Sequence, residues 1–351
     1  MTDARYAIFR ADASAEIGTG HVVRSRTLAA ELVGRGWDAT LVARGLPAGL
    51  AGSIRAMAVG LLELPKDLAI EDEPTYIGTA LSRPADLAVI DHYDIGADWQ
   101  LAAADWAKRQ LAIDDLADRA QATDILLDQN LPADPSRYRG LVRPTTQLLL
   151  GPAYALVQPA FAAARARRQA GSLGRDGRLQ RILVFMSGTD PQDVTRRAAR
   201  AAAALDVAVD VVVGAGYPFQ PELRAWVAGQ PLVELHVDTQ DMAGLMARAD
   251  LAVGASGSAN WERCTLGLPA VLVTLADNQV EGARALADVG AVVDLGSHAR
   301  VADHQLERAL IELRDDPERL VAMSETAARL TDGLGTIRVA DELERLVWGP
   351  R

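Results

Sequence analysis

The sequence predicts an α/β architecture of two doubly wound, Rossmann-like domains facing each other across a cleft. Three observations carry that expectation. A chain of 351 residues is too long for one compact core and fits about two domains. Short apolar runs alternate with helix-like segments, as in a parallel sheet covered on both faces. The alternation stops in a zone rich in Pro, Gly and Arg, and then begins again.

In chain order, "RYAIFRA" reads as a strand and Gly20–Arg35 as a helix, with Val22, Ala29, Leu32 and Val33 on one face. Gly34 and Gly36 stop that helix before the strand "DATLVAR". The pattern continues through "VGLLEL", a helix near Thr75–Leu81, "DLAVID", a helix near Asp98–Arg109, "QLAIDD" and "DILLDQ". "NLPADPSRYRG" and "LLLGPAYALVQPAF" read as a turn-rich zone, and the basic segment after them as a connector. Six further strands follow, "RILVFMS", "VAVDVVVG", "LVELHVD", "DLAVGA", "AVLVTL" and "AVVDL", and from His304 onward the chain reads as helices only. The boundaries expected are an N-terminal domain over 1–165, a linker over 166–180 and a C-terminal domain over 181–335. A last helix, 336–351, is expected to pack back on the first domain. Ligands of such sheets bind at the carboxyl ends of the strands.

Composition excludes several classes. The single cysteine, Cys264, rules out an intramolecular disulfide framework and a thiolate zinc cluster, and points to a reducing cytoplasm. No apolar stretch reaches the length needed to span a bilayer, and the first residues have no signal-peptide pattern. With a formal net charge of -11, the chain lacks the basic face of a nucleic-acid binder. An acidic protein that holds a phosphorylated small molecule must use local devices, chiefly backbone amides at helix starts.

The first loop, "ADASAEIGTGHVV", has two of the three glycines of a dinucleotide fingerprint, and Val23 stands where the third belongs. The next strand ends in Arg44 rather than an acid, so a dinucleotide is excluded; no P-loop pattern occurs either. The loop instead puts His21 in the first turn of a helix, where the positive dipole end disfavours imidazolium and leaves a ring able to accept a proton. Gly18 and Gly20 supply flexibility on the approach.

Three loops of the second half resemble one another chemically. Ser187, Gly188, Thr189 and Asp190 close one strand before a helix, and Ser256, Gly257 and Ser258 close another. Asn278 and Gln279 lie at a third junction. Free N–H groups and small side chains there suit a diphosphate, and Glu262, a turn inside its helix, suits a ribose diol. Met242 could border a base or simply pack.

Taken together, "ADASAEIGTGHVVR", "IDHYDI", "AIDDLADR", "DILLDQN", "GPAYALV", "SGTD", "WERCTLGLP" and "DNQ" resemble, in order, the UDP-2,4-diacetamido-2,4,6-trideoxy-β-L-altropyranose hydrolase family of pseudaminic acid biosynthesis. The second half also resembles the GT-B glycosyltransferase that makes lipid II. The resemblance implies a GT-B-like fold and a small-molecule UDP-sugar as substrate; no cofactor is expected, and the five scattered histidines and strand-end acids are not read as a metal site. It implies His21 as the base that activates water, Tyr93 in the sugar site, Glu262 on the ribose and Asn278 on the substrate. Arg24 would meet a phosphate or solvent. The strand-end acids Asp91, Asp94, Asp114 and Asp115 are read as loop caps, bonds to the sugar or supports for His21. His92 stays undecided between facing the cleft and orienting its neighbours. UDP is a good leaving group, so one base and a set of dipoles suffice, without the paired carboxylates of ordinary glycosidases. The alternatives are a glycosyltransferase with the same donor, and a sensor that binds the UDP-sugar without cleaving it. Oligomeric state is not legible.

Overall fold

The computed structural model describes residues 4–13, 19–46, 48–170 and 176–349. The chain divides into two compact units, Met1–Val157 with Leu334–Arg351, and Gln158–Gly333.

The first unit contains β1 (Tyr6–Ala11), α1 (Gly20–Gly34), β2 (Asp38–Ala43), α2 (Ala48–Ala56), β3 (Gly60–Glu63), α3 (Glu73–Ala80), β4 (Leu87–Asp91), α4 (Ala97–Ala103), β5 (Gln110–Ile113), β6 (Ile125–Asp128) and β7 (Gln147–Leu150). Its seven strands are all parallel, in the order β3-β2-β1-β4-β5-β6-β7. The runs that read as uninterrupted apolar segments, such as "LAVID" and "ILLD", are buried at every residue, as a sheet covered on both faces requires. Val22, Leu28, Ala29 and Leu32 of α1 pack on one face, and Ile77, Trp99 and Trp106 belong to the core on the other. Full burial of each such Leu or Ile contributes roughly 1.5–3 kcal/mol. β7 lies in the segment read as turns. It is a four-residue edge strand running into Gly151-Pro152, too short to show a period.

The second unit begins earlier than expected. "PAFAAARARRQA" forms α5 (Pro159–Ala170), so 158–165 belong to it and 166–170 are helix rather than linker. Then come β8 (Arg181–Phe185), α6 (Val194–Ala203), β9 (Ala208–Val213), α7 (Gln220–Val227), β10 (Val233–Val237), α8 (Met242–Arg248), β11 (Leu251–Ala255), α9 (Ala259–Thr265), β12 (Ala270–Thr274), α10 (Val280–Asp288), β13 (Val292–Ser297), α11 (Asp303–Arg314) and α12 (Pro317–Leu330). The reason for the early boundary is Arg165. Its guanidinium donates to the carbonyls of Thr265 (2.9 Å), Ala328 (3.0 Å) and Thr331 (2.8 Å), satisfying the open ends of α9 and α12. Basic composition there marks a capping role rather than a solvated connector. The six strands are again parallel, ordered β10-β9-β8-β11-β12-β13.

The last helix, α13 (Gly335–Trp348), belongs to the first unit, where Val339, Ala340 and Leu343 join the core beside α1. Arg35 Nη1 bonds Asp341 at 2.7 Å, and Trp348 meets Trp37 with ring centroids 5.9 Å apart. A Cβ on Gly335 would stand 2.3 Å from the Ala155 carbonyl oxygen, so only glycine lets α13 start there. Among the described residues no helix is long and apolar enough to cross a membrane.

Candidate active site

In the first unit the strand order reverses between β1 and β4, where a doubly wound sheet opens a crevice at the carboxyl ends of its strands. α1 starts at Gly20 on one side of that point, and Asp91 ends β4 on the other, its Cα in register with Ala11. His21, the second residue of α1, reaches across, and its Nδ1 lies 2.5 Å from Asp91 Oδ1. Arg24 Nη2 stands farther from the same nitrogen, at 3.3 Å. The shorter contact fixes one proton: an ionised carboxylate must be met by a donor, so Nδ1 carries a hydrogen. Burial would by itself raise the Asp91 carboxyl, but the guanidinium of Arg24 and the ring of His21 hold it well below the usual carboxylate range. The result is a histidine whose Nδ1 proton is fixed by an ionised carboxylate.

One turn along α1, Arg24 is buried, not solvated, and its guanidinium is taken up by carboxylates. Nε and Nη2 bond Asp91 at 2.7 and 2.6 Å, and Nη1 bonds Asp115 at 3.0 and 3.1 Å. This corrects its expected part as a phosphate ligand: it neutralises and orients Asp91. Ser25 adds a further bond to Asp91 at 3.3 Å. Tyr93 is brought to the same cluster, its ring edge-on to His21 at 4.5 Å and its hydroxyl donating to Asp115 at 3.3 Å. Of the other strand-end acids, Asp114 accepts from Ala117 N–H as a loop cap, and Asp94 is exposed. Gly18 lies outside the described residues.

Several groups around this cluster were not singled out from the sequence. Asn130 donates to Asp115 at 2.9 Å, and Arg137 and Tyr138 hold Asp128 at 2.7 and 3.0 Å. Burial raises the Asp128 carboxyl to about 6, aided by the nearby Asp115 charge and opposed by the Asn130 N–H and Arg137. On β1, Arg10 is fully buried between Asp12 and Glu73, and the Arg44 N–H also bonds Asp12. His92 Nε2 lies 3.1 Å from Asp12, and its Nδ1 accepts from Asp94 N–H at 3.1 Å. So His92 orients its neighbours. The visible signal was an arginine inside the apolar strand "YAIFRA", which demands buried acids.

In the second unit the order reverses between β8 and β11. The loop of Ser187, Gly188 and Thr189 follows β8, that of Ser256, Gly257 and Ser258 follows β11, and Asn278 and Gln279 follow β12, so all three lie along adjoining strand ends. Asp190 is a correction. Its carboxylate is fully buried and accepts from Val194 N–H (3.2 Å) and Thr195 N–H (2.6 Å), while its own N–H bonds Ser187 Oγ at 2.8 Å. It caps the start of α6 and has no face for a ligand. Gln279 accepts from Leu275 N–H at 2.9 Å and thereby braces its own loop. Asn278 is exposed, Glu262 half-buried, and Met242 half-buried as the first residue of α8. Arg263, beside Glu262, passed unnoticed: it is buried, donating to the Ala255 carbonyl at 2.7 Å and to the Asn260 side-chain oxygen. Asn260 in turn donates to Ser256 Oγ at 3.0 Å.

One group of potential metal ligands occurs among the described residues, Asp210, Glu234 and His236. The Asp210 carboxylate there already accepts from Arg248 at 2.7 Å, Arg181 at 3.0 Å and His236 at 2.9 Å, a cationic surround that disfavours a metal ion.

Comparison with known proteins follows this geometry. Residues 182–336 match the glycosyltransferase family 28 C-terminal domain. That segment is most of the second unit. The spore coat polysaccharide biosynthesis protein SpsG of Bacillus subtilis is 31% identical over 60% of this chain, and the chain spans 62% of that relative's length. The UDP-2,4-diacetamido-2,4,6-trideoxy-β-L-altropyranose hydrolase of Campylobacter jejuni is 26% identical over 72% of this chain and 86% of its own. The crystal structure of Acinetobacter baumannii MurG superposes with a TM-score of 0.69 at 17% identity, covering 97% of this chain and 99% of the other. That likeness, with the two parallel sheets, establishes the GT-B fold.

Proposed function

We propose that the chain hydrolyses a UDP-linked 2,4-diacetamido-2,4,6-trideoxyhexose at its anomeric C–O bond. The observation that carries this reading is the His21–Asp91–Arg24 arrangement, an imidazole whose Nδ1 is engaged by an ionised carboxylate that Arg24 also holds. Nε2 takes a proton from water as the water oxygen bonds C1. The C1–O bond to the β-phosphate breaks, and UDP leaves with the electron pair. Attack opposite the leaving group inverts the anomeric carbon. Tyr93 lines the sugar side beside His21. The loops of Ser187–Thr189 and Ser256–Ser258, with Asn278, offer amides and hydroxyls to the diphosphate, and Glu262 accepts from the ribose. Gly20 starts α1 and Met242 borders the base. The similarity to a relative named as a hydrolase of this sugar nucleotide supports the reading.

A second reading, transfer of the sugar to an acceptor, is favoured by the family 28 match. His21→Asn separates the possibilities. It keeps the size of the side chain and removes the base, so UDP release in water should fall by about 10²–10⁴ while UDP affinity stays within about twofold. Near-normal release would remove His21 from the base role, and release that starts only on adding an acceptor would favour transfer.

A further inference from the structure

We infer that Arg263 is a positioning residue which, through Asn260, aims the Ser256 hydroxyl as a donor at the diphosphate of the nucleotide. The inference rests on the nucleotide site proposed above and adds residues to it.

The three side chains form one buried line: Arg263 is 2% exposed, Asn260 5% and Ser256 1%. Arg263 Nη2 donates to both the Ala255 carbonyl and Asn260 Oδ1, and Asn260 Nδ2 donates to Ser256 Oγ at 3.0 Å. The order is forced by chemistry. A guanidinium only donates, so the amide must present its oxygen to Arg263 and its NH₂ to the serine. The reverse orientation would set two buried donors against each other. Ser256 Oγ, already an acceptor from Asn260, has its own proton left to give, and it donates to none of the described residues. What it can meet is an acceptor, and phosphate oxygens are acceptors only.

Charge points the same way. Both acceptors of Arg263 are neutral, and among the described residues it makes no ion pair. Arg10, Arg24 and Arg165 are buried or half-buried too, but the first two face paired carboxylates and the third caps helix ends. The neighbouring Glu262 charge acts on it through space, but a buried cation with no directly bonded anion still gains when one arrives. The fold has also made room for it. A Cβ on Gly254 would stand 2.5 Å from Arg263 Nη1 and 2.6 Å from the Phe185 carbonyl oxygen. The guanidinium therefore lies beside β11 and β8, at the reversal point between the Ser187 and Ser256 loops.

The test is the ratio of UDP to uridine affinity, measured by calorimetry on the full chain. Uridine shares the base and ribose but lacks phosphate. Ser256→Ala, Asn260→Ala and Arg263→Met should each lower that ratio about tenfold. Arg263→Lys should largely restore it, because both bonds leave from one nitrogen. Ser256→Ala added to Arg263→Met should lower it no further. If Ser256→Ala lowers the ratio while Asn260→Ala and Arg263→Met leave it intact, the relay is overturned and the nucleotide reading stands. Equal loss of both ligands in Asn260→Ala would overturn it as a purely structural effect. A wild-type chain that fails to prefer UDP over uridine would overturn the nucleotide reading itself. Should Arg263→Met not fold, Asn260→Ala breaks the same line and decides.

Discussion

Replacing Asp91 by Asn changes two things that can be measured apart. The first is stability. Asp91 is fully buried and carries bonds from Arg24 at 2.6 and 2.7 Å and from His21 at 2.5 Å. Breaking a buried pair costs about 3–5 kcal/mol, because the partner charge is left uncompensated. Arg24 keeps Asp115 at 3.0 and 3.1 Å, which argues for the lower end. A loss of about 3 kcal/mol in a unit of this size lowers its melting temperature by roughly 6–12 °C. The second is the histidine tautomer. An amide can present NH₂ to Nδ1, and the proton then moves to Nε2, where no base remains. Turnover should fall by about 10²–10⁴, read as UDP release at a temperature well below the transition. UDP affinity, assigned to the second unit, should change by less than about twofold. His21→Asn provides the contrast, losing the same activity while retaining the Arg24–Asp91 pair. If Asp91→Asn melts early but turns over within about threefold of wild type, Asp91 is structural and the argument about tautomer fails.

Other expectations follow from particular groups. The Asp128 carboxyl is raised from 3.8 to about 6, so the native state binds a proton that the unfolded chain has released. Its contribution is present below about pH 4 and is lost as pH rises through 6, a change of roughly 3 kcal/mol. Asp128→Asn should therefore gain relative to wild type between pH 4.5 and 7.5 in denaturant titrations; a pH-independent difference would contradict this. Arg165→Ala removes three carbonyl bonds at the ends of α9 and α12 and should destabilise the second unit by about 2–4 kcal/mol in the same assay. Burial pushes the Cys264 thiol up to about 12, so thiol reagents should leave it unmodified until the unit unfolds.

Much of the architecture was legible because both sheets are parallel and buried, which makes their strands continuous apolar runs. β7 escaped since four residues before Gly-Pro carry no period, and the last turn of α5, 166–170, was read as linker because the Gly- and Ala-rich basic stretch it opens looks like a connector. In the site, His21 could be found from the loop that precedes it, and Asp91 only as one of several strand-end acids. What could not be read is which charges meet. Arg24 answers to Asp91 and Asp115, 67 and 91 residues away, and no local pattern encodes that pairing. Asp190 misled for the related reason that a cap and a ligand residue occupy the same place in a strand–loop–helix sequence. Arg263 went unread because its acceptors, the Ala255 carbonyl and the Asn260 side chain, leave no local pattern of charge to mark it.

The most direct test follows a UDP-di-N-acetyl-trideoxyhexose by NMR in water with no acceptor present. The account predicts UDP release matched by free sugar, with the inverted anomer appearing first and both products forming about 10²–10⁴ times more slowly with His21→Asn. Retention of configuration, or release that waits for an added acceptor, would contradict water activation by His21.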